Sequence, residues 1–356
     1  MKHYIIFISL LFILLSFSCI NNNKTENKNV SVTKTDSIYD NTEMNTAQVS
    51  EQIITELNKK INKAPKNANL YNERSKLFIN KGQINNALKD IKKALEIDST
   101  NALFYCTLSD IYFEMGKIQN CIGSLKKAIS LNNSHRINID VLLKLAKLEL
   151  YQKEYFKALE YINGALNTDM LNPRAYFLKG FTYKEMGDTA KAISNLQTAV
   201  EQNPEYYDAY MQLGLLFSAK KDKLSEAYFK NALKIKPVSI EALYALGMFY
   251  QEDEPPQIDK AVETYSKIIE TDPDNKKAHY NIGYLNLVFL KHYYEAINNF
   301  TNAIQNDSNY FQAYYNRGYC YELLKDYENA KTDYKKALKI KVNFPKAIQG
   351  LNRVDK

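Results

Sequence analysis

The chain of 356 residues has no tryptophan, 11 glycines, 8 prolines, 4 histidines and 4 cysteines. Each shortage removes a class of chemistry. His3, His135, His279 and His292 stand apart, with no pair at helical ligand spacing and no third donor close by, so no metal site is expected. Cys106, Cys121 and Cys320 form no CxxC and fall where small or apolar residues serve helix packing. With so little glycine there is no phosphate-cradling loop, no GxSxG and no DxDxDG. Neither a cofactor nor a catalytic constellation is expected, and acidic pairs such as Asp253-Glu254 read as solvated turn residues. The net charge of +7 comes from 47 basic and 40 acidic residues in mixed runs, for example 220–223 and 335–341. Lacking a basic stripe interleaved with aromatics, the chain is not read as a nucleic-acid binder.

What is present is a period. A small residue recurs at Ser75, Ser109, Ala146, Gly180, Gly214, Gly247, Gly283 and Gly318, at intervals of 34, 37, 34, 34, 33, 36 and 35. Within a unit the pattern runs, for example, Gly180, Tyr183, Ala192, Leu196, Ala199, Pro204, and again Gly318, Tyr321, Ala330, Tyr334, Ala337. Apolar residues fall three or four apart in each half, and Gly82, Gly116, Gly187 or Asp326 interrupts between halves, so each unit reads as helix, tight turn, helix. Small residues let the two helices approach, and Tyr, Phe or Leu fills the space between hairpins. Such a hairpin cannot hide its apolar face alone, so only stacking makes a continuous core. One elongated domain is therefore expected rather than two or three globular ones.

These residues resemble the tetratricopeptide repeat, in order and in spacing, from roughly Ala68 to Phe344. The resemblance implies an all-α fold, a right-handed α-solenoid of about eight hairpins near 68–101, 102–138, 139–172, 173–206, 207–239, 240–275, 276–310 and 311–344. Departures are the lack of Trp, Glu149 and Asn286 where an aromatic is usual, and Cys121 in place of Ala. Extra residues fall near 132–138, at 253–257 with Pro255-Pro256, and near His292, while 225–232 is shortened, and these changes are expected in turns. In residues 50–344, the segment Ser50 to Lys63, with Ile53, Ile54, Leu57 and Ile61 at helical spacing, is read as an N-terminal capping helix. The stretch 345–356, with Ala347, Ile348 and Leu351, is read as the C-terminal cap.

The first residues differ. After Lys2, an uncharged apolar run from Tyr4 to Phe17 ends in Ser16-Phe17-Ser18-Cys19, which resembles a bacterial lipoprotein signal. By that resemblance 1–18 is removed and Cys19 is lipidated, anchoring the chain to a membrane; an uncleaved N-terminal helix is the alternative. Residues 19–49, rich in Asn, Lys, Thr and Ser, then read as a lipid-anchored flexible linker. The expected location is the bacterial cell envelope, as an outer-membrane lipoprotein facing the periplasm or the surface. If that setting is oxidising, a Cys106–Cys121 disulfide is an open alternative to two thiols.

In the resembled family the residues three before and one after the small residue line the binding face. Carried over position by position, the last five units place Phe177, Phe181, Met211, Leu215, Tyr244, Met248, Tyr280, Tyr284, Tyr315 and Tyr319 there, all apolar or aromatic. The first three place Asn72, Lys76, Cys106, Asp110, Leu143 and Lys147, a more polar set. The ten read either as a peptide-binding groove or as packing between neighbouring first helices. Asn281 and Asn316 recur as in the family's carboxylate clamp, but Tyr244, Tyr280 and Gln312 replace its cations, so capture of acidic tails is not expected. The leading reading is a non-enzymatic scaffold or adaptor for protein or peptide partners in the envelope, for secretion or complex assembly. Two alternatives stand beside it: a receptor or enzyme using Lys76, Asp110 and Lys147, and a self-associating structural protein or homo-oligomer.

Overall fold

The computed structural model describes residues 41–131 and 135–355, with the backbone alone for 41–48 and 135–137. Cys19, the apolar run before it and most of the linker lie outside the described residues. Among the described residues eighteen α-helices follow one another and there is no strand. In chain order they are α1 (Asn41–Lys63), α2 (Ala68–Asn80), α3 (Ile84–Ile97), α4 (Ala102–Glu114), α5 (Ile118–Leu131) and α6 (His135–Tyr151). Next come α7 (Tyr155–Thr168), α8 (Pro173–Glu185), α9 (Thr189–Gln202), α10 (Tyr207–Ala219), α11 (Leu224–Ile235) and α12 (Ile240–Glu252). The chain ends with α13 (Ile258–Thr271), α14 (Lys276–Leu285), α15 (Tyr293–Asn306), α16 (Phe311–Leu323), α17 (Tyr327–Ile340) and α18 (Pro345–Val354). Even-numbered helices are the first, or A, helices of the hairpins; odd-numbered ones are the second, or B, helices.

Local chemistry sets the hairpin boundaries. Asn67, Asn101, Asn172, Ser239 and Asn275 stand at the N-caps of A helices, and each side chain accepts a backbone N–H of the first turn. At the turn into the B helix one residue takes positive φ: Gly82, Gly116 and Gly187, but Lys153, Lys221, Lys291 and Lys325 in other hairpins. One irregular length is absorbed at such a turn, whereas the shortened stretch 225–232 lies inside α11, a helix of 12 residues. The extra residue before His292 is taken up by a π-helical turn, Asn286–Leu290, closed by His292 N–H donating to Asn286 O at 2.9 Å. Two readings of extent shift: α1 starts at Asn41, inside the expected linker, and α6 at His135 rather than near 139.

The chain divides into two compact units, Met1–Asn195 and Leu196–Lys356, with the boundary inside α9. In the first, Ile91, Phe104 and Ile111 form one buried cluster and Leu125, Leu145 and Leu148 belong to the next. The second is more aromatic: Phe229, Phe249, Tyr250 and Tyr265 lie in one cluster, Phe300, Tyr314 and Tyr334 in another. Each is a succession of antiparallel hairpins packed on the next, the repeating arrangement of an α-solenoid.

The recurring small residue follows its neighbour's size. In the first unit Ser75, Ser109 and Ala146 lie 16 residues before aliphatic Ile91, Leu125 and Ile162. Gly180, 16 residues before Leu196, departs from that pairing. In the second unit the partners are rings and the small residue is Gly. A Cβ added to Gly214 would lie 2.5 Å from the Phe229 ring, and one on Gly247 2.6 Å from the Tyr265 ring. At Gly283 the corresponding distance to Phe300 is 2.8 Å, and at Gly318 that to Tyr334 is 3.1 Å. Glycine is therefore required by close approach here, not by backbone angle.

Both end hairpins carry the same polar clamp. Arg74 on α2 donates from Nε and a terminal nitrogen to Asp90 on α3 at 2.6 and 2.7 Å, and from its other nitrogen to Asn58 Oδ1 on α1 at 2.6 Å. Arg317 on α16 repeats this with Asp333 on α17 at 2.7 and 2.8 Å and Thr301 Oγ1 on α15 at 2.9 Å. Each guanidinium thus ties its own B helix to the preceding one through bidentate bonds.

Candidate functional site

The ten residues expected to line a groove divide by burial. In the first unit Phe177 and Phe181 are 5% and 4% exposed, their rings 6.5 Å apart, and Lys184 Nζ covers Phe181 at 4.3 Å. In the second unit Met211 is 3% exposed. These three pack the interior and do not present a surface. Leu215, Tyr244, Tyr280, Tyr284, Tyr315 and Tyr319 are half-buried, with one flank on the core and the other reaching solvent, and Met248 is half-buried as well. The surface part of the predicted strip is therefore confined to α10, α12, α14 and α16.

Along that face the tyrosines are joined by stacking and by hydrogen bonds. Tyr280 stacks on Tyr310 with centroids 4.9 Å apart and leans on Phe300 at 5.7 Å. Tyr315 lies parallel to Tyr319 at 6.4 Å and edge-on to Phe344 at 5.3 Å, while Tyr244 tilts against Tyr265 at 5.9 Å. Asn316 Nδ2 donates to Tyr280 Oη at 3.0 Å, joining α16 to α14 and leaving the phenol its own proton to donate. Asn281 Nδ2 approaches Met248 Sδ at 4.0 Å, joining α14 to α12. Burial pushes the Tyr280, Tyr310 and Tyr315 hydroxyls above the ordinary phenol range; the Asn316 bond offsets part of this at Tyr280. The face therefore offers ring surface with uncharged hydroxyl donors at neutral pH.

Tyr310 and Phe344 are the residues that sequence reasoning missed. They precede A helices rather than lying in them, at their N-caps, so the offset rule passes over them. The signal was present: an aromatic recurs at that place as Tyr206, Tyr310 and Phe344.

The polar positions of the first unit do not assemble a reaction centre. Asp110 is ion-paired with Lys144, so its carboxylate is committed to a cation of the next hairpin. Asn72 and Cys106 are buried, and Lys76 and Lys147 are half-buried on α2 and α6. Cys106, Cys121 and Cys320 are buried thiols with no disulfide, and burial pushes those of Cys121 and Cys320 up to about 12, where they are unreactive. Among the described residues no three His, Cys, Asp or Glu side chains gather into a group able to hold a metal ion.

Comparison with known proteins bears on the repeats and the fold. The tetratricopeptide repeat family model matches residues 68–101, 102–135, 173–206 and 311–344, so the chain carries tetratricopeptide repeats. A DnaJ homolog subfamily C member 7 homolog of Schizosaccharomyces pombe is 24% identical over 215 residues, 59% of this chain and 40% of that protein. A UDP-N-acetylglucosamine–peptide N-acetylglucosaminyltransferase of Giardia intestinalis is 31% identical over 106 residues, 30% of this chain and 7% of the enzyme. The chain thus spans well under half the length of these curated relatives. Among solved structures, the C-terminal part of a TPR repeat-containing protein from Cytophaga hutchinsonii superposes with a TM-score of 0.59 at 19% identity. It covers 68% of this chain and 98% of that one, a likeness of fold.

Proposed function

We propose that this chain is a non-enzymatic scaffold that captures a protein or peptide partner on the A-helix face of its second unit. The observation that carries this reading is the half-exposed row Tyr244, Tyr280, Tyr284, Tyr315 and Tyr319, which adds hydroxyl donors to apolar surface. Packing alone would need neither the exposed flanks nor the phenolic protons; an extended or helical segment would use both. Met248 adds an adaptable apolar contact beside them. The repeats supply the rigid spacing, since every tyrosine sits on a helix held by a hairpin core rather than on a loop.

The proposal includes the setting: an anchor at Cys19 in a bacterial envelope, outer membrane favoured, with the segment after it as spacer. Its support is the apolar run ending in Ser18-Cys19, and labelling with radioactive palmitate tests it; an unlabelled mature chain refutes the anchor. The partner face is tested by crosslinking in the native envelope followed by mass spectrometry. The Tyr280→Ala, Tyr315→Ala double variant is expected to lose at least about tenfold in capture, from two ring contacts each worth about 0.5–1.5 kcal/mol beyond burial, while keeping its helix content. Unchanged capture with intact folding refutes the assignment of the face.

A further inference from the structure

Charge is unevenly placed at the end of the second unit. Between Tyr334 and Val354 the chain has six basic residues and no acidic one. Arg353 is committed to Glu322, to which it donates at 2.6 and 2.9 Å, and this leaves Lys335, Lys336, Lys339, Lys341 and Lys346, all exposed. The first three lie three and four residues apart on the outer side of the last two turns of α17. Lys341 is the C-cap of that helix, and Lys346 stands in the first turn of α18. Lys341 Nζ lies 4.7 Å from the Phe311 ring centroid and 6.0 Å from that of Phe344, two rings 5.1 Å apart, and Lys336 Nζ lies 5.9 Å from Tyr314. Those contacts hold the lysines around one corner, where α17 meets α18 beside the start of α16. Val342, in the same connection, is 74% exposed.

The nearby acids are engaged elsewhere. Asp333 accepts Arg317 at 2.7 and 2.8 Å, Asp307 accepts Lys276 at 2.8 Å, and Asp355 is paired with Lys331. Asp326 and Glu328 begin α17 and lie about 20 Å from Lys341 along its axis, beyond a Debye length of about 8 Å. Lysine at a helix C-terminus also complements the dipole, but the fold does not demand it: the C-caps of α3, α7, α13 and α15 are Asp98, Asp169, Asp272 and Asp307. At α11 the C-cap is Lys236, and five residues on stands Glu241; five residues after Lys341 stands Lys346. The α17 corner therefore gains a cation where the α11 corner has an acid.

We propose that this corner docks on an anionic lipid surface, with the lysines against headgroup phosphates and Val342 directed at the acyl boundary. The division of labour between cations favours a lipid surface over one oriented carboxylate. Both arginines of this region, Arg317 and Arg353, make bidentate bonds to carboxylates of the chain, and every cation left outward is a lysine. A lysine ammonium is a compact charge on a flexible stem, without the fixed fork that selects a single partner, and suits a field of many mobile headgroups. Its methylenes can lie along the boundary beside Val342 while the charge stays in water. The docking surface is separate from the tyrosine face and does not depend on it.

The test uses the full chain and two kinds of vesicle, phosphatidylcholine alone and phosphatidylcholine with about 30% phosphatidylglycerol, read by co-sedimentation at about 100 mM salt. The segment before α1 is common to the chain and its variants, so the comparison between them isolates the corner. The unaltered chain is expected to partition at least about tenfold more onto the anionic vesicles, and the preference to shrink at about 500 mM salt as charges are screened. Lys339→Gln, Lys341→Gln and Lys346→Gln together should lower anionic partitioning by at least about tenfold with unchanged helix content by circular dichroism. Lys89→Gln, Lys92→Gln and Lys126→Gln together, which remove the same charge from α3 and α5, should change it by less than about twofold. Equal partitioning of the unaltered chain onto both vesicles overturns the proposal. So does an anionic preference that survives the change at the corner or falls equally with the change on α3 and α5. Fluorescein-labelled hexaglutamate, followed by anisotropy, separates the other source of negative charge: binding that the corner variant loses, without a preference for anionic vesicles, overturns the lipid surface in favour of an acidic protein partner.

Discussion

Gly214→Ala adds one methyl to a place where the Phe229 ring is already in contact. The new Cβ would stand 2.5, 2.6 and 3.0 Å from three ring carbons, against about 3.5–4.0 Å for an unstrained carbon contact, so the ring or the helix must retreat by about 1 Å. Phe229 is 1% exposed in a close-packed cluster and has no vacant volume to retreat into. Overpacking of this kind costs about 1–3 kcal/mol. Against it stands the gain of about 1 kcal/mol from replacing Gly by Ala inside a helix. The two are separated by Gly123→Ala on α5, which is exposed, meets nothing within 4 Å and reports the helix gain alone. The expected result is that Gly123→Ala raises the urea midpoint while Gly214→Ala lowers it or leaves it level, a difference of about 1–3 kcal/mol between the two. Far-UV circular dichroism follows the transition, and hydrogen exchange of α10 and α11 amides locates it, since hairpin arrays need not unfold in one step. In a Phe229→Leu background the added methyl should become neutral or favourable, because the smaller side chain restores the aliphatic pairing of the first unit. If Gly214→Ala stabilises as much as Gly123→Ala, or if Phe229→Leu changes nothing, the size matching between glycine and ring is wrong.

The other expectations are shorter. Arg317→Ala strands the Asp333 carboxylate, 5% exposed, and should cost about 3–5 kcal/mol at neutral pH. Burial already holds Asp333 above the usual carboxylate range even with Arg317 beside it, and removing the cation raises it further. A raised acid contributes stability that is complete below its unfolded value and lost as pH rises through the folded one, so the deficit should be smaller at pH 4.5 than at pH 7.5. Urea midpoints at the two pH values check this; an equal deficit at both would refute it. Lys291→Gly or Lys325→Gly, at φ of 57° and 65°, should stabilise by up to about 1 kcal/mol by relieving left-handed strain, read from thermal midpoints; a loss of stability would show that the lysine makes a contact worth more than the strain.

Much of the architecture was legible because it depends on residues close in sequence. The A helices α2, α4, α8, α10, α12, α14 and α16 open at the residues where the spacing begins each unit, since caps and turn residues act locally. The length changes at 253–257 and near His292 could be placed but not shaped: that one became a π-turn depends on which backbone groups found partners at Asn286. For the candidate face the sequence marked two rows, and the structure gives their members different depths. Phe177, Phe181 and Met211 obey the same offset as Tyr280 and Tyr315, and their identity as apolar residues does not say how deeply neighbouring helices close over them. Tyr310 and Phe344 were invisible to an offset counted within helices, although they complete the stacks around Tyr280 and Tyr315.

By itself, then, the sequence determined the hairpin and its period, because helix, turn and small-residue spacing are set by interactions within some forty residues. Only the tertiary structure decided which members of the candidate face stay half open to solvent, and why four hairpins use Gly against a ring while three use Ser or Ala against an aliphatic side chain. Burial is a property of several helices packed together, and no spacing along one chain segment encodes it.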